Sequence, residues 1–402
     1  MSAVPMELVA RVESRSFTSD NTAGGAPEIM AAVAAAASGQ APPYGTDSWT
    51  LSARRHFSEI FDCDLDLLPV STGSAANALS LAALTPPWGS VLCHRDSHIN
   101  NDECGAPEFF TGGAKLVALG GENAKIDADE LQAAVHRKVG DVHSVQPSVL
   151  SLTQATETGA VYRPAEIKHL ACIAKRAGLR VHMDGARLAN AVAAMGCNPA
   201  ELTWRAGVDV LSFGAIKNGS ITADAIVVFE PSLTTELSFR IKRAGQLAAK
   251  MRFAAAQLDA YLADDLWLRN ARHANAMTAR LEAGLRSISG TLVVGTPEAN
   301  ILFCRLPRRV IDGLLDQGYD FYHGRWEPGV VRFVTSFATT ARDDEELVNA
   351  VRRLTAAAIE ESRSKRTRTQ RSVSGRGSEV LNNACGQLSL YVAPDGMPVA
   401  NP

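Results

Sequence analysis

The sequence has no long hydrophobic run. Its most alanine-rich stretch, MAAVAAAAS from Met30 to Ser38, is about half as long as a membrane-spanning helix must be. The opening residues MSAVPMELVARVES also lack the apolar core and small-residue cleavage site of a secretory signal. We therefore expect a cytoplasmic protein that does not bind a membrane.

Neither sign of charge dominates, and no cysteine pattern is present. The 402 residues include 40 basic and 43 acidic side chains, and a net charge of −3 argues against nucleic acid as the main partner. The seven cysteines are dispersed without a C-x-x-C pair, so neither a disulfide scaffold nor a structural metal site is expected. The one basic stretch, Arg363 to Arg376, predicts a solvated, disordered tail over residues 363–402 in preference to a nucleic-acid-binding arm.

Several common catalytic motifs are missing as well. The chain contains no G-x-G-x-x-G after a strand, no G-x-x-x-x-G-K-[ST], no H-E-x-x-H and no G-x-S-x-G. Dinucleotide-binding, P-loop, zinc-protease and α/β-hydrolase functions therefore lose support.

Short β-branched runs alternate with helical patterns through the middle of the chain, which is typical of an α/β fold with a mostly parallel sheet. We expect a large domain with an N-terminal arm over residues 1–262, a smaller α+β domain over 263–362 and the tail after it. The helical pattern Pro164 to Ala177 connects two of the expected strands. The expected strands of the large domain are Ser90 to Cys93, Leu116 to Leu119, Ser148 to Gln154, Arg180 to Met183, Val208 to Phe213 and Ala225 to Phe229. Those of the small domain are Gly290 to Val294, Ile301 to Arg305 and Val330 to Thr335, followed by a helix from Asp343 to Glu361.

Two charged residues follow predicted strands. Asp184, in VHMDGAR, could pair with the protonated ring nitrogen of pyridoxal phosphate, or it could be only a helix N-cap. Lys217, in SFGAIKNGS, lies 33 residues later among small and apolar neighbours, where a neutral amine able to form a Schiff base is favoured. Because the carboxyl ends of parallel strands meet at one edge of a sheet, both side chains are expected near one crevice.

Two further segments belong with this pair. The segment STGSAAN, Ser71 to Asn77, precedes an apolar helical run and could present backbone N–H groups to a phosphate, although taken alone such a segment is more often a simple helix cap. His98 lies in a polar stretch after another strand, where its flat ring could stack on a cofactor or could merely be exposed.

Taken together, these motifs resemble those of the threonine aldolases, pyridoxal-phosphate lyases of the aminotransferase-like fold (fold type I). The similarity runs from about Phe17 to about Arg353. It is carried by FTSDNTAG, PPYGTDS, STGSAAN, DSHINNDECGA, HMDGARLANA and SFGAIKNG, which occur in the order that the family has them.

The resemblance implies a role for each matching residue. It makes Lys217 the Schiff-base lysine, Asp184 the partner of the pyridine nitrogen and His98 the stacking ring. Gly73, Ser74 and Ala75 would hold the phosphate; Arg187, Arg332 and Ser19 would bind the substrate carboxylate; and His143 would lie near the substrate hydroxyl. Tyr44 and Arg252 match positions through which a neighbouring subunit completes the site, so a homo-oligomer, with a homotetramer built as a dimer of dimers, is expected.

The implied reaction is cleavage of L-threonine, L-allo-threonine and related β-hydroxy-α-amino acids to glycine and an aldehyde. Ile216 replaces the threonine more usual before the lysine, and SLTQATETG differs from the asparagine-threonine-histidine version of that loop, which places the chain in a divergent branch. Two alternatives stay open: a pyridoxal-phosphate lyase that β-eliminates from aromatic or sulfur amino acids, and a non-catalytic protein that keeps the fold.

Overall fold

The computed structural model of the protein describes residues 15–377, and it contains a central seven-stranded sheet in the order β1-β7-β6-β5-β4-β2-β3. Strands β2 to β6 are parallel to their neighbours within that group, whereas β7 runs antiparallel to both β6 and β1. The strands are β1 (Asp66–Val70), β2 (Gly89–His94), β3 (Lys115–Leu119), β4 (Gln146–Thr153), β5 (Arg180–Gly185), β6 (Val210–Phe213) and β7 (Asp224–Val228).

Helices cover both faces of this sheet, because its central strands are apolar on both sides. Alternate residues of β7 show the two layers: Val227 packs into one hydrophobic core with α2, α7, α8 and α10, while Ile226 packs into another with α3 and α9. The helices are α1 (Pro27–Ala36), α2 (Ser48–Phe61), α3 (Gly73–Leu84), α4 (His98–Asn101), α5 (Ala106–Thr111), α6 (Ala128–Ala134), α7 (Pro164–Arg176), α8 (Leu188–Met195), α9 (Thr234–Arg243), α10 (Arg252–Leu262), α11 (Leu266–Arg286), α12 (Arg308–Asp316) and α13 (Ala341–Gly377).

A second, antiparallel sheet with its own core lies in the later part of the chain. Its order is β10-β11-β9-β8, formed by β8 (Leu292–Val294), β9 (Ile301–Arg305), β10 (Tyr322–His323) and β11 (Val330–Val334). Side chains of α11, α12 and α13 pack on this sheet, and Phe17 of the N-terminal arm joins the same core. The arm therefore runs across to the small sheet.

The predicted α/β class and its mostly parallel sheet are confirmed. Each of the predicted strands is present within two residues of its expected start, and the helix between β4 and β5 begins at Pro164 as predicted. Helix α12 and the two-residue strand β10 were not predicted, and neither was the reversed direction of β7.

The predicted disordered tail is wrong in its first part. Helix α13 continues from Ala341 to Gly377, because arginine, lysine and glutamine are good helix formers and no glycine or proline interrupts the segment before Gly375. Residues 378–402 of the expected tail lie outside the described residues. Within residues 15–377, no helix is both long enough and apolar enough to cross a bilayer.

Candidate active site

A cavity of about 260 Å³ opens at the carboxyl ends of β5 and β6, where the parallel part of the sheet meets the antiparallel strand β7. Parallel sheets bind ligands beyond these strand ends. Its walls combine one helix N-terminus, several carboxylates, one lysine and one histidine. The lining residues are Asn21, Thr72, Gly73, Ser74, Asn77, His98, Glu103, Glu157, Asp184, Ala186, Gly214, Ile216, Lys217 and Asp224.

Asp184 projects into this cavity from the end of β5. Its Oδ1 accepts the Ala186 N–H at 3.0 Å and its Oδ2 accepts the Asn77 amide at 3.1 Å, so the carboxylate is held on both sides and still has lone pairs for a ligand. The carboxylate is 3% exposed, so a cationic ligand group that reached it would be strongly attracted.

The strand beneath Asp184 is fixed by a buried polar chain. His182 bonds to Ser151 of β4 through Nδ1 and to Ser212 of β6 through Nε2, each at 2.9 Å. Burial lowers the pKa of His182 to about 4, so the ring is neutral and joins three neighbouring strands without adding charge to the site.

Lys217 lies on a short turn that follows β6, and its amine makes no hydrogen bond or ion pair within the described residues. Asp224 fixes that turn, because its Oδ1 accepts the N–H groups of Ala215 at 2.7 Å and of Ile216 at 3.0 Å. Burial raises the pKa of Asp224 above its usual range. Gly214 lets the turn approach β5, since a Cβ there would come within 2.5 Å of the Ala186 carbonyl oxygen. The predicted placement of Lys217 and Asp184 at one crevice therefore agrees with this geometry.

Helix α3 points its N-terminus at the same cavity. Thr72 caps the helix by accepting the Ala75 N–H at 3.1 Å, whereas the N–H groups of Gly73 and Ser74 have no partner within residues 15–377. Two free amides at a helix N-terminus suit an anion such as phosphate. The structure does not bring Ala75 to the cavity as predicted, because the cap takes the N–H of this third helical residue.

His98 faces the cavity and is tied to a buried acid. Its Nδ1 lies 2.9 Å from Oε1 of Glu103, and the same oxygen accepts the Asn77 amide at 2.8 Å. The Glu103 bond raises the pKa of His98 more than burial lowers it. Sequence reasoning missed both Glu103 and Asn77, although an acid five residues after His98 and an amide one helical turn after Gly73 were available as signals.

Arg187 and Arg332 lie beside the cavity and meet the N-terminal arm. Asp20 of the arm accepts two bonds from Arg187, from Nε at 2.7 Å and from Nη2 at 2.9 Å. Burial opposes the positive charge of Arg187, but the pair with Asp20 outweighs it and raises the arginine pKa, while the same pair holds the pKa of Asp20 low. One hydrogen-bonding edge of the Arg187 guanidinium is therefore occupied by Asp20, and a second edge is left for a ligand.

Arg332 is half-buried and lacks a full set of partners. Its Nε is a buried donor with no acceptor within the described residues, and its only hydrogen bond there runs from Nη2 to the Thr18 carbonyl at 3.4 Å. Burial, followed by the positive charge of Arg187, lowers the pKa of Arg332. Two nearby guanidinium groups, one of them with an unsatisfied donor, favour an anionic ligand such as a carboxylate.

Other predicted site residues lie outside the cavity. His143 is at the opposite end of the sheet, because it precedes β4, whose eight residues span roughly 25 Å before Thr153 aligns with Asp184. It lines a groove beside the edge strand β3 and does not reach the cavity of its own chain, so its place near the substrate hydroxyl stays a prediction. Ser19 caps the short turn of the arm by accepting the Asn21 N–H at 3.2 Å.

Tyr44 and Arg252 form a separate surface group. Tyr44 is 48% exposed and its ring lies 4.9 Å from the Lys242 amine, while Arg252 donates to the Gly39 carbonyl at 3.2 Å. Neither residue lines the cavity of its own chain. Their predicted contribution from a neighbouring subunit stays a prediction.

The cavity suits a phosphorylated pyridine. Free amides at the α3 N-terminus match a phosphate, the buried Asp184 carboxylate matches a protonated ring nitrogen, and the unpartnered Lys217 amine matches an aldehyde. Each group comes from a different element, and all three line one cavity.

Comparison with known proteins gives consistent results. The beta-eliminating lyase family model matches residues 16–306. The low specificity L-threonine aldolase of Pseudomonas aeruginosa is 42% identical over 84% of this chain and 97% of its own length. The enzyme of that name from Pseudomonas sp. is 41% identical over 86% of this chain and 99% of its own. A structure of Leishmania major threonine aldolase superposes with a TM-score of 0.79 at 28% identity, covering 85% of this chain and 99% of that one.

The fold and the cavity together define the class of the protein, which is that of the fold type I pyridoxal-phosphate lyases. The chain belongs to the beta-eliminating lyase family and groups there with the low-specificity L-threonine aldolases. The resemblance inferred from the sequence motifs is thereby confirmed.

Proposed function

We propose that the protein cleaves β-hydroxy-α-amino acids such as L-threonine and L-allo-threonine to glycine and an aldehyde, with pyridoxal phosphate as cofactor. The observation that carries this proposal is the convergence of Lys217, Asp184 and the α3 N-terminus on one cavity. Family membership supports the same reaction class. Nothing in the site favours β-elimination over this reaction.

Each part of the cofactor has a residue to hold it. The amides of Gly73 and Ser74 would bind the phosphate, Asp184 would bind the ring nitrogen, and His98 would lie against the ring. Pyridoxal phosphate, when bound, withdraws electrons from the bonds of the substrate α carbon. Lys217 would anchor the cofactor between reactions through its amine and would then be free to carry protons.

The substrate carboxylate would bind between Arg187 and Arg332, next to Ser19. With Asp20 filling one edge of the Arg187 fork, the remaining edge has a fixed direction. Fixing the carboxylate limits rotation of the substrate and so selects which bond to the α carbon is placed for cleavage. The arginine pair thus contributes orientation as well as binding.

His98 is the group in the cavity best suited to accept the hydroxyl proton. Its Nδ1 is engaged by Glu103, and its Nε2 has no partner within the described residues. His143 can act only from another subunit, because β4 separates it from the cavity of its own chain. Removal of the hydroxyl proton then accompanies release of the aldehyde.

Product analysis tests the proposal. With added pyridoxal phosphate, L-threonine should yield equal amounts of glycine and acetaldehyde, and phenylserine should yield benzaldehyde. Lys217→Ala should abolish turnover, while Lys168→Ala, at an exposed position of α7, should leave it unchanged. Release of 2-oxobutanoate and ammonia from L-threonine, or a fully active Lys217→Ala variant, would contradict the proposed reaction.

Assembly and location complete the proposal. A homo-oligomer, with the tetramer as the favoured form, would let Tyr44 and Arg252 of one subunit contact the cavity of another. The six described cysteines are free thiols, which suits the cytoplasmic location expected from their dispersed spacing.

A further inference from the structure

We propose that Glu103 is a positioning residue for His98, and the proposal rests on the aldol cleavage proposed above. Its buried carboxylate fixes the imidazole with Nδ1 as donor and leaves Nε2 free to take the proton of a substrate hydroxyl. The geometry that points to this role is a chain of three hydrogen bonds from His98 to Asp184.

Glu103 lies in a buried position, where burial disfavours the ionised form of its carboxyl group. Its side chain is fully buried, while the His98 side chain beside it is 32% exposed toward the cavity. Its second oxygen, Oε2, has no partner within the described residues. Burial raises the pKa of Glu103, and the bond to His98 opposes that effect. Because burial of this carboxylate costs desolvation energy, its pairing with His98 is better evidence for a functional role than an ion pair on the surface would be.

The bonding pattern decides which nitrogen carries the proton. Oε1 of Glu103 accepts from the Asn77 amide, which can only donate through its nitrogen, so Oε1 acts as an acceptor at this point. The ionised carboxylate has no hydrogen to donate, so the His98 Nδ1 at 2.9 Å donates to it. In the neutral ring Nε2 is then the unprotonated nitrogen, which is the form that a general base requires.

Asn77 connects this pair to the acid expected to bind the cofactor ring. Its amide nitrogen donates to Glu103 at 2.8 Å and to Asp184 at 3.1 Å. One helix residue thus sets the distance between the two carboxylates, and with it the position of His98 relative to Asp184. This arrangement explains why the amide is placed one turn into α3, with its side chain 3% exposed.

The charges that face His98 favour its protonated form overall. Asp184 and Glu157 add to the effect of Glu103 in raising the His98 pKa, whereas Lys217 lowers it. When the substrate O–H bond breaks, its proton forms an N–H bond at Nε2, and the oxygen electron pair becomes the second bond of the aldehyde carbonyl. The electron pair of the broken Cα–Cβ bond stays with the α carbon, and Glu103 balances the charge gained by His98.

The pairing can be tested without cofactor or substrate. Histidine titration is followed by NMR on ¹⁵N-histidine-labelled apoprotein, and His98→Asn assigns the signal. Glu103→Gln keeps the shape but removes the charge, and it should lower the His98 pKa by about 1 unit or more. Asp102→Asn removes a charge from an exposed neighbour in the same segment and should leave the His98 pKa unchanged. An unaltered His98 titration in Glu103→Gln, or a proton on Nε2 in the neutral wild-type ring, would overturn the proposal.

The catalytic consequence is measured on the cofactor-loaded enzyme. In Glu103→Gln, kcat for L-threonine should fall about 10- to 100-fold, and the acid limb of the kcat/KM profile should move to lower pH together with the His98 pKa. Glu103→Asp keeps the charge on a shorter side chain, so its His98 pKa should lie between that of Glu103→Gln and that of the wild type. If Glu103→Gln folds poorly, a His98 pKa that is lower in Glu103→Asp than in the wild type provides the same test. A profile that does not move in Glu103→Gln would refute the positioning role. If the wild-type protein cleaves no β-hydroxy amino acid but Glu103→Gln still lowers the His98 pKa in the NMR titration, the proposed function is refuted and the pairing of Glu103 with His98 is retained.

Discussion

The pair between Arg187 and Asp20 gives the substrate site a direction. Asp20 holds Nε and one hydrogen of Nη2, and Asn300 supports the carboxylate by donating to its Oδ2 at 2.9 Å. The arm and the large sheet are therefore tied together at the same guanidinium that is proposed to bind substrate. A single ammonium cannot satisfy Asp20 and a substrate carboxylate with two-point geometry at once.

Arg187→Lys should accordingly raise KM for L-threonine by about 10- to 100-fold, corresponding to the loss of one or two charged hydrogen bonds. Steady-state kinetics measure the change, with Arg176→Lys at an exposed position of α7 as the control. An unchanged KM in Arg187→Lys would contradict the assigned role of Arg187.

Glu157 places an unpaired carboxylate in the cavity. It makes no hydrogen bond within the described residues, yet its charge acts on Arg187, Arg332 and His98. It lies in the TQATETG loop that follows β4. This acid partly cancels the positive field that would attract a substrate carboxylate.

Glu157→Gln should therefore lower KM for L-threonine about two- to fivefold at low salt, because a partly exposed charge is worth about 0.5–1 kcal/mol. The effect should shrink at high ionic strength. Glu122→Gln, an exposed acid outside the cavity, serves as the control. A higher KM in Glu157→Gln would mean that Glu157 itself contacts the substrate.

Some site residues could be predicted from the sequence and others could not, for physical reasons. Asp184 directly follows one predicted strand and Lys217 lies four residues beyond another, so the strand ends alone place them together. Glu103 sits in a polar stretch whose composition suggests exposure, and only the fold shows that its side chain turns inward. His143 precedes the strand predicted from Ser148 to Gln154, so its place at the amino end of β4, away from the cavity of its own chain, could have been inferred from the sequence.

At the scale of elements, the strands β2 and β6 of the parallel group were predictable because every residue in them is buried and each contains consecutive apolar residues. The reversed direction of β7 was not predicted, although the connection from β6 is shorter than a parallel crossover requires and could have been used as a signal. Helix α12 carries a clear apolar face, with Val310, Ile311 and Leu314 buried, and this signal could have been used. Strand β10, with two residues, is too short to leave a pattern.

Helix α13 begins with an acid in an unfavourable place. Asp344 is 1% exposed, and neither of its carboxylate oxygens has a partner within the described residues. Burial raises its pKa to about 7, although Arg280 opposes the shift. The folded state therefore keeps a proton that the unfolded chain releases near 3.8, so stability is constant below about pH 4, falls as pH rises toward 7 and is flat above it.

Asp344→Asn should remove this dependence and raise the free energy of unfolding at pH 8 by about 2–4 kcal/mol, with little change at pH 4. Urea unfolding followed by circular dichroism between pH 4 and 8 measures it. Glu345→Gln, which removes an exposed acid on the same helix turn, should change stability by less than about 0.5 kcal/mol. A stability gain for Asp344→Asn that is equal at pH 4 and 8 would show that the Asp344 charge is not its cause.

At the scale of the whole molecule, the cavity and the surface group of Tyr44, Lys242 and Arg252 are parts of one chain that do not meet. The surface group is held in place by local contacts, since the Tyr44 N–H donates to the Ala249 carbonyl at 3.1 Å and Arg252 donates to the Gly39 carbonyl. A residue fixed away from its own cavity can serve catalysis only in the cavity of another copy. The proposed shared site therefore requires that this surface group contacts the cavity of a neighbouring subunit.

Mixing of subunits tests directly whether one active site is built from residues of two chains. Lys217→Ala and Arg252→Ala chains should each be nearly inactive as homo-oligomers, the second through loss of a cofactor contact from the neighbour. After exchange of subunits at equal amounts, half of the dimers are hybrids, and each hybrid has one site built from two unaltered residues, so activity should recover to about one quarter of wild type. Lys217→Ala mixed with Asp184→Asn provides the control, because both changes lie in the same cavity of one chain and every hybrid site keeps one defect. No recovery in the test mixture would mean that Arg252 acts within its own chain, and a fully active Arg252→Ala homo-oligomer would mean that the exposed group has no part in the reaction.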